Sequence, residues 1–218
     1  MPHVILQADR REVPVSNIFC IGRNYAAHAA ELGNQVEPAP LVFIKPTSAL
    51  HAMDQPLTLP AFSNDVHYET ELVLLIGKGG KNIPEQAALE HVAGYGLGLD
   101  LTARDIQAVA KQKGLPWTLC KGFDGAACIS EFVAPDTMAD IDHVRFGMSL
   151  NGEPRQAGDT ALMLFSVPYL IHYLSTMFTL QPGDLIYTGT PEGVGKLNSG
   201  DRLSLTLMDR PLATLSIA

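Results

Sequence analysis

The stretch Val66-His67-Tyr68-Glu69-Thr70-Glu71-Leu72-Val73-Leu74-Leu75-Ile76-Gly77 sets two carboxylates at the head of an apolar run. The run is rich in Val, Leu and Ile, is too short for a stable helix and stops at Gly77-Lys78-Gly79-Gly80, so it reads as a strand. Side chains alternate along a strand, which puts Glu69 and Glu71 on one face. Either both are solvated on the polar face of an edge strand, as most glutamates are, or they hold a common cation. A third acid, Asp100, ends a second apolar run, Ala93-Gly94-Tyr95-Gly96-Leu97-Gly98-Leu99-Asp100. Its three glycines share a face and allow close approach of another backbone or a ligand. Three oxygen donors without cysteine or paired histidine favour Mg²⁺ or Mn²⁺ over zinc, with positions left for water and a chelating substrate.

The net charge of -8 over 218 residues, with no cluster of Lys and Arg, argues against a nucleic-acid partner. An acidic chain that takes an anionic substrate must supply positive charge locally, from a metal or from a few placed basic residues. The hydrophobic share of 46% with 17% charged residues fits one ordinary globular domain over 1–218. The longest apolar stretch, 161–178, contains Pro168 and His172 and reads as a core helix, capped by Asp159 or Thr160, instead of a membrane span. The N-terminal residues show no signal-peptide pattern. Cys20, Cys120 and Cys128 are odd in number and lack metal-site spacing, as expected of buried thiols in a reducing cytoplasm.

Residues 1–16 read as a hairpin. Residues 22–33 read as a short helix bracketed by glycines, with Asn24 as its cap and Gly33 as its stop, a pattern suited to a segment that closes over a site. His28 and Glu31 are neighbours at that spacing, so the carboxylate can orient the imidazole. Lys45 ends the strand 41–45 and reads as a snorkelling lysine or one that faces a ligand. A short helix is expected over 84–91. A second helix runs from Thr102, its cap, through Asp105, a capping-box partner, to Gly114. Arg104 and Gln107 share a face of it, either as an exposed pair or as a grip on an oxygen-rich ligand. Lys121 lies in an apolar stretch and either snorkels or pairs with acids. Asn151-Gly152 marks a hairpin, 184–190 a strand with Thr190 at its end, and further strands are expected over 203–207 and 212–217. Many short strands with three or four helices give an α+β, mainly β, fold.

Seven motifs stand in order: Gly22-Arg23-Asn24-Tyr25 with His28 and Glu31, Phe43-Ile44-Lys45-Pro46, Glu69-Thr70-Glu71, Asp100-Leu101-Thr102-Ala103-Arg104-Asp105-Ile106-Gln107, Lys121-Gly122-Phe123-Asp124, Asn151-Gly152-Glu153, and Thr188-Gly189-Thr190-Pro191-Glu192-Gly193-Val194-Gly195. With them the chain, from about residue 13 to 207, resembles small bacterial members of the fumarylacetoacetate hydrolase superfamily, near its acylpyruvate hydrolase and oxaloacetate decarboxylase branch. The resemblance implies a mixed β-sandwich roll with a few flanking helices, a homodimer, and a lid over 22–33. It implies Mg²⁺ or Mn²⁺ on Glu69, Glu71 and Asp100, with His28, Glu31 and Lys121 catalytic and Arg23, Arg104, Gln107 and Thr190 around a small anionic 2-oxo acid. The expected reaction is hydrolysis of the C–C bond of acylpyruvates to pyruvate and a carboxylic acid. Oxaloacetate decarboxylation, isomerisation of 2-hydroxydienoate diacids, and a scaffold without catalysis are the alternatives. Leu162 departs from the pattern, which has a polar or acidic residue there.

Overall fold

The two acid-bearing runs pair with each other: Thr70–Ile76 lies antiparallel to Val92–Asp100, with Thr70 opposite Leu99 and Glu71 opposite Gly98. In the computed structural model, which describes residues 2–33, 35–138 and 140–218, these strands lie inside a seven-stranded mixed sheet. Its order is Leu41–Lys45, Ile18–Gly22, Leu185–Tyr187, Thr70–Ile76, Val92–Asp100, Ala127–Ile129, Leu50–Ala52. Every residue of Thr70–Ile76 is buried, so both faces of this strand are covered, and the edge-strand reading of the glutamates does not hold. A four-stranded antiparallel sheet, ordered Glu153–Asp159, Arg145–Leu150, Arg202–Leu207, Arg210–Ser216, supplies Phe146, Met148, Leu203, Leu205 and Leu215 to the same apolar core. The architecture is the mixed β roll with flanking helices.

A small three-stranded sheet decides where the acids fall. Val66–Tyr68 pairs with Thr102–Ala103 on one side and with Gly195–Lys196 on the other. The pairing brings the residues just before Glu69 against those just after Asp100, and the Asp100 N–H donates to the Glu69 carbonyl at 2.8 Å.

The glycine face of Val92–Asp100 packs against the protein's own side chains. A Cβ at Gly98 would collide with the Tyr187 ring and lie 2.8 Å from Val73 Cγ2, and one at Gly96 would lie 3.2 Å from Phe132. The Asn151-Gly152 hairpin forms with positive φ at both residues, 54° and 87°, the geometry that this dipeptide favours. The expected N-terminal hairpin, with Met1 outside the described residues, pairs His3–Leu6 with Arg11–Pro14. Asn34, in the connection after the first helix, is likewise not described.

Several expected boundaries move. Asn24 does not cap the helix Ala26–Glu31; its amide bonds across the chain to Phe165 and Thr188. Thr102 belongs to a strand, its hydroxyl donates to the Asp100 carbonyl, and the helix Arg104–Lys113 begins without a side-chain cap, although Gly114 ends it in the left-handed conformation. Residues 84–91 form 3₁₀ turns instead of an α-helix. The long apolar helix spans only Val167–Met177, capped by Ser166, because Asp159 instead caps a separate turn at Thr160–Leu162. Local capping is thus unaffected by Leu162, which is exposed. The strand at 185 ends at Tyr187 because the chain turns at Gly189, where φ is 105°. Among the described residues no helix is long and apolar enough to cross a membrane.

Candidate metal centre

One carboxylate oxygen from each of Glu69, Glu71 and Asp100 lies within 4.8 Å of the others, and all three residues are buried. Charges so close and so dry need counterions. Lys121 ends the short helix Thr118–Lys121, and its Nζ bonds Glu69 Oε2 and Asp100 Oδ2, each at 2.6 Å. The Arg104 guanidinium bonds Glu69 Oε1. Lys45 Nζ lies 2.6 Å from Asp100 Oδ1. Glu71 differs: Gly189 N–H donates to its Oε2 at 2.7 Å, and among the described residues no cation pairs with it.

The electrostatics follow from this partition. Burial raises the Glu69 carboxyl, but the Lys121 and Arg104 charges outweigh it and hold the group well below the usual range. Glu71 is pushed well above its usual value by burial and then by the Asp100 and Glu69 charges. Burial alone would lower Lys121, yet Asp100 and Glu69 keep it above its ordinary value and fully protonated.

A hard divalent cation suits this donor set. All three ligands are carboxylates, Glu71 lacks a counter-charge, and Asp100 Oδ1 is a buried oxygen that has an ion-pair neighbour but no hydrogen bond, since Lys45 approaches it outside hydrogen-bond geometry.

His28 lines a cavity of about 30 Å³ together with Glu69, Glu71, Arg104, Gln107 and Lys121; Arg23 and Thr190 complete the expected set around it. Its Nδ1 lies 3.3 Å from Glu31 Oε2, which leaves Nε2 as the ring nitrogen for a ligand. Burial lowers the His28 pKa, more than the Glu69 charge and the Glu31 bond raise it, so the imidazole is neutral near pH 7. Glu31 stands one step behind His28 and accepts the Gly193 N–H at 3.1 Å. Arg104 donates to Gln107 Oε1 at 2.8 Å, and Arg23, at φ 59°, pairs with Glu37 at 2.7 Å. Asp100 reaches the centre from beneath the cavity wall.

Three further residues shape the site without having been singled out for it. Gln156 is buried; its Nε2 donates to Thr190 Oγ1 at 2.8 Å and to the Pro191 carbonyl, and its Oε1 accepts from Thr70 N. Asn24, just ahead of the helix Ala26–Glu31, donates to the Phe165 and Thr188 carbonyls. Lys45 neither snorkels nor faces the cavity, for its side chain is fully buried. Only Lys45 left a signal, a charge at the end of an apolar strand; the partners of Gln156 and Asn24 are too distant in sequence to be read.

The family model described as "Fumarylacetoacetate (FAA) hydrolase C-terminal" matches residues 17–216. The chain is 47% identical over 187 residues to a mitochondrial oxaloacetate tautomerase of Mus musculus, covering 86% of this chain and 85% of that one. It is 47% identical over 184 residues to a mitochondrial oxaloacetate decarboxylase of Dictyostelium discoideum, covering 84% of each. Among solved structures, fumarylpyruvate hydrolase from Pseudomonas aeruginosa in complex with Mn²⁺ and pyruvate superposes with a TM-score of 0.93 at 38% identity, over 99% of this chain and 95% of that one.

Proposed function

The chain belongs to the fumarylacetoacetate hydrolase family, and from that premise we propose a Mg²⁺- or Mn²⁺-dependent hydrolase that cleaves acylpyruvates to pyruvate and a carboxylic acid. The observation that carries this reading is His28, backed by Glu31, in one cavity with Glu69 and Glu71 of the carboxylate triad. A divalent cation on Glu69, Glu71 and Asp100 would supply Lewis acidity toward the carboxylate and 2-oxo oxygens of the substrate.

His28 Nε2 takes a proton from water as the water oxygen bonds to C4 of the 2,4-dioxo acid, and Glu31 stabilises the imidazolium that forms. The C3–C4 bond then breaks, and its electron pair stays with C3 as the enolate of pyruvate. The Lys121 ammonium adds positive charge beside the enolate oxygen. The His28 proton returns to C3, which closes the proton balance. Arg104 and Gln107, held to each other, present donors to the substrate's oxygens, with Arg23 and Thr190 at the cavity wall.

A second reading is supported by the two relatives that carry oxaloacetate in their names. Oxaloacetate presents the same 2-oxo acid, and either loss of CO₂ or removal of a C3 proton gives the enolate without attack by water. The proposal further includes a small anionic 2-oxo acid as ligand, a homodimer, and a cytoplasmic setting that keeps Cys20, Cys120 and Cys128 reduced. Light scattering tests the dimer.

The deciding experiment follows pyruvate release from acetylpyruvate and from oxaloacetate, and the keto–enol interconversion of oxaloacetate by ultraviolet absorbance, with Mg²⁺ or with EDTA. Cleavage of acetylpyruvate that needs metal and is lost in Glu69→Ala supports the hydrolase. Turnover of oxaloacetate alone moves the assignment to the second reading. No metal-dependent turnover of either overturns both.

A further inference from the structure

Among the described residues, Lys45 is the one buried lysine near the site that the proposed reaction does not use. Its side chain is 0% exposed, and its ammonium lies 2.6 Å from Asp100 Oδ1. The same ammonium donates to the backbone carbonyls of Lys121 and, at 3.3 Å, of Leu101. It therefore touches a triad carboxylate, the residue that follows that carboxylate, and the end of the short helix that aims Lys121 at Glu69 and Asp100. Asp100 Oδ1 has no other neighbour of opposite charge among the described residues.

Charge gives this arrangement its meaning. Lys121 and Arg104 answer Glu69, Lys121 and Lys45 answer Asp100, and Glu71 has no cation among the described residues. Lys121 and Arg104 face the cavity, whereas Lys45 lies behind the triad, beyond the reach of a substrate. A buried carboxylate left without its partner is strongly destabilising, while a pair removed as a whole costs much less.

We propose that Lys45 is a positioning residue: its ammonium balances the charge of the Asp100 carboxylate in the metal-free protein and fixes that carboxylate and the Lys121 turn in place, so that the site is formed before an ion arrives. The part of this that concerns the ion rests on the triad being the metal site; the charge balance itself does not.

Thermal unfolding of the full chain in EDTA and in saturating Mn²⁺ tests it, with Lys45→Met, Asp100→Asn and the double variant beside the wild type. In EDTA, Lys45→Met is expected to melt at least about 5 °C below the wild type, a shift within reach of a single lost buried pair in a chain of this size. The double variant, in which no Asp100 charge is left without its partner, is expected to recover at least half of that loss. Mn²⁺ is expected to raise the melting temperature of Lys45→Met more than that of the wild type, because the ion supplies the missing charge. A double variant that melts as low as Lys45→Met in EDTA would overturn the proposal, since a simple packing defect is not repaired by removing Asp100. If Lys45→Met yields no folded protein, folding of the double variant supports the proposal and its failure to fold where Asp100→Asn folds overturns it. Equal Mn²⁺ shifts in wild type and Lys45→Met, with recovery in the double variant, overturn only the part concerning the ion.

Discussion

The Glu31 carboxylate accepts the backbone N–H of Gly193 at 3.1 Å, a contact that joins the end of the helix Ala26–Glu31 to a loop 162 residues further along the chain. The same carboxylate holds His28 Nδ1, so one side chain both anchors that helix and orients the proposed base. Replacing Glu31 with Ala is expected to lower kcat/KM about 100-fold, since the general base loses its partner. Faster hydrogen exchange at the amides of Ala26–Glu31 should accompany the loss. Unchanged exchange would show that the Gly193 bond does not hold that helix.

The pH profile follows from His28. Its pKa is lowered from 6.5, chiefly by burial, so the basic form persists below that value and the acid limb of kcat/KM is expected below pH 6.5. Glu31 raises the His28 pKa, so Glu31→Gln should move the limb to still lower pH. For stability the sign is the same. The unfolded chain takes up a proton near pH 6.5 that the folded chain refuses, and stability is lost as pH falls from there to the folded pKa. Melting temperatures of wild type and His28→Gln, compared between pH 7.5 and 5.5 (about the range of an ordinary imidazole), should converge at the acid end.

Glu71 is the triad member without a cation, and Glu71→Gln should separate stability from ion binding. The amide keeps an acceptor for the Gly189 N–H but removes a charge that burial, Asp100 and Glu69 all disfavour. The variant is expected to melt higher than wild type in EDTA and to bind Mn²⁺ at least about 100-fold more weakly, as read by calorimetry. A variant that is less stable in EDTA would contradict the charge argument.

Gly98 is required by close packing. A methyl group there would meet the Tyr187 ring, which cannot retreat because its hydroxyl donates to the Cys128 carbonyl at 2.9 Å. Gly98→Ala is expected to cost about 1–3 kcal/mol in urea unfolding, the range for overpacking a filled core.

Legibility in the sequence followed the range of the interaction. The hairpin at Asn151-Gly152 and the helix stop at Gly114 depend on a few adjacent residues, and both stand where local rules put them. The caps at Asn24 and Thr102 did not form: the Asn24 side chain bonds Phe165 and Thr188, distant in sequence, and Thr102 is held in a strand opposite His67 with its hydroxyl on the Asp100 carbonyl. Lys45, at a strand end, reads in the sequence as a snorkelling lysine or one that faces a ligand, and its buried place behind Asp100 fits neither. Only the fold places Asp100 and the Lys121 carbonyl around its ammonium.

Strand alternation, a property of the backbone alone, predicted that Glu69 and Glu71 stand together, and they do although Glu69 falls in the one-residue break between Val66–Tyr68 and Thr70–Ile76; a lone acid at the end of an apolar run marked Asp100 as their companion. Helical spacing did the same for His28 and Glu31. Which cation answers which carboxylate was decided only by tertiary structure. Lys45, Arg104 and Lys121 come from an edge strand, a helix start and a helix end, and their assignment depends on angstrom-scale distances between segments that sequence order leaves independent. The same holds for His28: its spacing to Glu31 is local, but its burial, its lowered pKa and its place in one cavity with Glu69 and Glu71 exist only in the folded chain.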